Sequence, residues 1–91
     1  MTLKEIEKKA NHFEGKTINI YSTQEINEKI LEILNKCIEN NIKVELTEKD
    51  FVKIANIYYA LYHTYNFQFL KEITNISLNK FDYYKIIKNL K

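Results

Sequence analysis

The sequence predicts a small, helix-rich α/β domain in the order α-β-α-β-α-α, with one βαβ unit and a sheet of two or three short strands; α+β is the neighbouring class. Two segments of equal length, 17 to 21 and 42 to 46, alternate apolar and polar residues at the period of a strand. A clean helical stripe separates them, so strand, helix and strand follow in order and a right-handed crossover between parallel strands is the default joint. The whole chain has 91 residues, which fits one domain spanning 1–91 and leaves little room for a second.

Each element has its own signal. Thr2 and Glu5 stand in capping-box spacing before a stripe of Leu3, Ile6, Ala10 and Phe13, and Gly15, the only glycine, sits where a helix cap belongs. In the first strand, Ile18 and Ile20 point one way. Ser22 and Glu25 repeat the capping-box spacing before Ile26, Ile30, Ile33, Leu34, Cys37 and Ile38, a helix that can stop at Asn40 and Asn41. Ile42, Val44 and Leu46 form the inner face of the second strand. Thr47 then caps the longest helix, about residues 48 to 65, with Phe51, Ile54, Ala55, Tyr58, Leu61, Tyr62 and Tyr65 as its core stripe. Residues 66 to 70 fit either a third strand or the entry to a short helix. From Leu78 the chain is helical again, with Phe81, Tyr84, Ile87 and Leu90 on one side.

Composition narrows the chemistry. A chain this short buries only roughly 60 to 65 per cent of its unfolded surface, so its apolar residues are needed for one core and leave no surplus for a deep private cavity. Phe, Tyr, Met, Ile, Asn and Lys total 52 residues against 4 for Gly, Ala, Arg and Pro, the mark of an AT-rich genome. Missing Arg, Pro and Trp therefore reflect codon supply as much as function. The net charge of +2 is too near neutral to imply a polyanion partner. One cysteine, no secretory leader and no long apolar run point to a cytoplasmic protein that does not span a membrane.

No catalytic constellation is visible, and a non-enzymatic protein is expected, without metal or cofactor. His12 and His63 lack a metal-ligand spacing, and Cys37 sits on an apolar stripe where a thiol packs as a small hydrophobe. Ser22 and Thr47 are explained as caps, Asp50 and Asp82 as first-turn acids, and one glycine cannot make a phosphate loop. A small enzyme would need His63 to meet a carboxylate across a cleft.

Aromatic residues are unevenly placed, with nine of the twelve lying between positions 58 and 84. Most fall on core stripes. At 100° per residue, however, Val52, Asn56, Tyr59 and His63 run along the flank of the long helix, away from its core line. A sheet or the last helix covering that row makes it packing; solvent exposure makes Asn56, Tyr59 and His63 a partner-binding patch.

The C-terminal quarter resembles a helix-turn-helix, with a short helix at 70 to 74, a break at Asn75, Ile76 and Ser77, and a helix from Leu78. The resemblance implies a DNA-binding regulator acting through residues 68–91, the alternative reading. Within residues 78–91, Lys80, Lys85, Lys88 and Lys91 stand against Asp82 alone, a net charge of +3 that offers phosphate or steering contacts. Upstream, Glu25, Glu28, Glu32 and Glu39 outnumber Lys29 and Lys36, a segregation that suits oriented docking on a larger charged protein or ribonucleoprotein complex, or a head-to-tail self-contact. A homodimer would also protect the edges of a two-stranded sheet. In size, coding skew and lack of a chemical site, the chain is similar to accessory proteins of phages and mobile elements. That similarity implies protein–protein docking, including anti-CRISPR-like inhibition of a host defence complex that handles nucleic acid.

Overall fold

The structure is a computed structural model that describes residues 1–11, 23–79 and 82–90. Among these residues five helices follow one another: α1 (Leu3–Ala10), α2 (Thr23–Glu39), α3 (Glu48–Tyr62), α4 (Phe67–Ile76) and α5 (Tyr83–Leu90). They make up 75% of the described residues, among which no strand or sheet forms. The molecule is a small helical domain, and the expected α/β class with its βαβ crossover is overturned.

The departure from the expected class centres on the segment 42–46. It is extended, as its alternation implies, yet it makes only one-residue parallel bridges, from Glu45 to Thr2 and from Val44 to Ser77. Glu45 N donates to Met1 O at 2.7 Å, Val44 N to Ile76 O at 2.9 Å, and Leu78 N to Val44 O at 3.0 Å. Space explains why no ladder grows. Asn41 turns the chain out of α2 in the left-handed conformation, and Thr47 already caps α3, so few residues remain between the two helices. Val44 and Leu46 are fully buried while Ile42 is exposed, so Ile42 does not join the inward face expected of it. Alternation here marks a chain threading between helix ends. The other expected strand, 17 to 21, lies outside the described residues, as do His12, Phe13, Gly15 and Ser22.

Local chemistry accounts for the helices. Thr2 Oγ1 accepts from Glu5 N and begins α1, which buries Leu3, Ile6 and Ala10. In α2 the buried residues are Ile30, Leu31, Leu34 and Cys37; Leu31 widens the expected stripe, and α2 packs against three helices, α1, α3 and α4. Thr47 and Asp50 close a full capping box on α3, with backbone-to-side-chain bonds of 3.1 and 3.0 Å. Phe51, Ile54, Ala55 and Ile57 are buried along α3, and Lys53 reaches Glu7 of α1 at 2.9 Å.

The second half of the chain departs from expectation at its boundaries. Helix α3 stops at Tyr62 and α4 starts at Phe67, because Asn66 Oδ1 accepts from Phe69 N and caps the new helix. Residues 66 to 70 thus enter a helix. Phe69, Leu70, Ile73 and Ile76 are buried from α4. Asn75 and Ile76 belong to its last turn, so the break begins at Ser77 and α5 starts at Tyr83, both later than the helix-turn-helix resemblance implied. Ser77 and Leu78 are held to Val44, and Asn79 Nδ2 donates to Leu46 O at 2.8 Å. Tyr84, assigned to an apolar side from sequence, is exposed, as is Leu78, from which the last helix was expected to start, whereas Ile86 is buried, with Ile87 and Leu90 packed beside it. Buried residues from all five helices and from 44 and 46 form one core.

Candidate functional site

Asn56, Tyr59 and His63 lie on one flank of α3, and all three are at least partly open to solvent, Tyr59 at 44%. Val52, at the other end of the same row, instead lines a groove between α3 and α5 with Ile86 and Leu90. The row is therefore divided: its first turn is packing, and its last two turns face solvent.

A backbone turn organises those last two turns. His63 ends α3 with φ 58° in the left-handed region, and its N–H donates to Tyr59 O at 2.7 Å. This turn reverses the chain and lays Tyr65 back on the helix, its ring centroid 4.8 Å from that of Tyr59 and the planes 33° apart. Tyr65 Oη donates to Asn56 Oδ1 at 3.4 Å. The His63 ring meets Tyr59 edge-on, with centroids 6.4 Å apart and planes at 83°. Asn56, Tyr59, His63 and Tyr65 thus form one contiguous cluster of rings and one amide.

A second group flanks it. Tyr58 is half-buried, with its ring 4.7 Å from Tyr62 and 5.8 Å from Phe69, and Asn66 Nδ2 donates to its hydroxyl at 3.1 Å. Tyr62, expected in the core, is 56% exposed. Extending the helical period past the cap hid Tyr65 as a member of this surface, while Tyr62, inside α3, was hidden by its place on the expected core stripe. The signal that could have corrected the extension is Asn66, an amide three residues ahead of Phe69 and placed to begin a new helix.

The other sequence candidates separate. Lys85 and Lys88 are exposed on α5, while Lys80 and Lys91 lie outside the described residues. Cys37 is buried, and the Thr47 hydroxyl is occupied as a cap. Among the described residues no group of His, Cys, Asp and Glu is arranged to hold a metal, and no helix is long and apolar enough to cross a membrane. No protein-family model, curated protein or solved structure matches this chain, so a functional reading stands on the geometry above.

Proposed function

We propose that the protein is a non-enzymatic docking module that binds a protein surface through the flank formed by Asn56, Tyr59 and His63, with Tyr65 completing it. The observation that carries this reading is Tyr59: half-exposed, yet held between the Tyr65 ring and the edge of His63. A tyrosine fixed before binding offers a large contact area and loses little rotamer freedom when a partner arrives, which lowers the roughly 0.5 to 1.5 kcal/mol that immobilising a free side chain costs. Aromatic anchors of this kind concentrate binding energy. The inhibitor class suggested by size and coding skew remains part of the proposal, and host nucleic-acid-handling complexes are the partners to offer first.

The test is affinity capture from the native host, or with candidate CRISPR effectors, using wild-type and Tyr59→Ala baits. Tyr59→Ala is expected to weaken binding of the captured partner by about 2 kcal/mol or more, roughly 30-fold, while thermal melting stays unchanged. Wild-type affinity in the variant, or loss of structure before loss of affinity, removes the flank as the docking site.

A further inference from the structure

Between Lys53 and Lys71, 17 consecutive residues carry no Lys, Arg, Asp or Glu, although 26 of the chain's 91 residues do; the next longest charge-free run is 8. That run is the C-terminal half of α3, the turn after it and the first turn of α4. Its inward side chains belong to the core. Its outward ones include Asn56, Tyr59, Tyr62, His63, Phe67 and Gln68. Of the six exposed large apolar side chains among the described residues, Tyr59, Tyr62 and Phe67 lie in this stretch, while Ile42, Leu78 and Tyr84 are scattered over other segments.

We propose that a second copy of this chain docks on this face, about a two-fold axis. The proposal rests on the reading of the Tyr59 flank as a docking surface and assigns its occupant. In a two-fold contact, residues near the axis meet their own copies, so a charged side chain there faces a like charge. Elsewhere on this lysine- and glutamate-rich surface that repulsion is hard to avoid; within the run it is absent, and the carboxylate at its border, Glu72, accepts from Gln68 Nε2 at 3.5 Å. Tyrosine hydroxyls and the amides of Asn56 and Gln68 both donate and accept, so each can bond to an identical group. Tyr59 and Tyr62 add exposed ring area, and a net charge of +2 leaves only weak long-range repulsion between copies. A foreign, oppositely charged partner would find nothing on this face to steer it.

Sedimentation equilibrium on the full chain, from about 1 μM to about 1 mM, reads the mass directly. The expected result is a reversible monomer–dimer equilibrium whose dissociation constant changes less than about threefold between low and high salt, because no charges pair across it. Tyr59→Ala is expected to raise that constant at least about 30-fold with an unchanged helical circular dichroism spectrum. Tyr59→Lys and Tyr59→Glu are each expected to be monomeric, and their equimolar mixture to recover a one-to-one dimer, as opposite charges then face one another. Tyr62→Lys and Tyr62→Glu repeat the pair at a more exposed position, should a change at Tyr59 disturb the Tyr65 stack. Wild-type protein that stays monomeric at about 1 mM overturns self-docking alone, and the docking reading then stands or falls on capture of a foreign partner. A dimer untouched by both Lys and Glu pairs overturns the proposed face. A dimer that dissolves in salt is the charge-paired head-to-tail contact and overturns the proposal, as does a Lys and Glu mixture that remains monomeric.

Discussion

His63 holds a backbone conformation that most side chains resist. The left-handed region brings Cβ against the following carbonyl, at a cost of roughly 1 to 2 kcal/mol for an ordinary L-residue, and glycine is the usual way to end a helix there. Asn41 follows α2 at φ 52° with a residue whose short amide tolerates the region; His63 has no such amide. Its compensation is the edge contact with Tyr59 and the turn that returns Tyr65. Replacing His63 by glycine is therefore expected to leave stability unchanged or to raise it by up to about 1 kcal/mol, because relief of the backbone outweighs the missing ring edge. The same change should weaken binding through the flank. Denaturant melts and a binding titration on one variant separate the two effects, and a drop of more than about 1 kcal/mol in stability would make His63 structural. Periodicity alone made Asn56, Tyr59 and His63 legible in the sequence. Tyr65 was not, since its place depends on a left-handed residue that is neither glycine nor asparagine.

Helix ends decide this fold more than helix middles do. The stripes of α1 and α2 and the start of α3 were legible because apolar spacing agrees with the caps at Thr2 and Thr47 wherever a cap is described. Where a cap and a stripe disagreed, as at Asn66, the stripe prevailed in reading and the cap prevailed in folding. The segment 42–46 failed for a related reason: a strand and a short buried connector alternate alike, and only the neighbours tell them apart. In this molecule those neighbours are the N-terminal residues and the α4–α5 link, each bonded at one or two positions. Leu46→Ala is accordingly expected to cost about 2 to 5 kcal/mol, since its side chain is fully buried against helices, and Ile42→Ala less than about 1 kcal/mol. A sheet with all three residues facing inward would make the two costs alike, so equal shifts in melting would reject the connector account.

Across the whole molecule, charge is segregated in a way the core does not require. Glu25, Glu28, Glu32 and Glu39 are all exposed on α2 at spacings that keep them on one side, with Lys36 paired to Glu32 at 3.6 Å. Lys85 and Lys88 are exposed on α5, and Asp82 Oδ1 accepts from Lys85 N at 3.2 Å, so that acid is engaged at the start of the helix. Exposed charges contribute little to stability one by one, but a dipolar layout orients an approaching charged partner within about one Debye length, roughly 10 Å at moderate salt. Any contribution from the lysines is then to encounter, and the aromatic flank supplies the lifetime of the complex. Lys85→Gln with Lys88→Gln is expected to lower the association rate for a foreign charged partner and to flatten its salt dependence while leaving the dissociation rate near wild type. Tyr59→Ala should do the reverse, shortening the life of the complex with little change in encounter. Stopped-flow or surface-based kinetics at two salt concentrations distinguish the two. If the double lysine change instead abolishes binding to duplex DNA, with the salt slope falling by about one for each phosphate that is no longer neutralised, α5 is a nucleic-acid contact and the steering role is rejected.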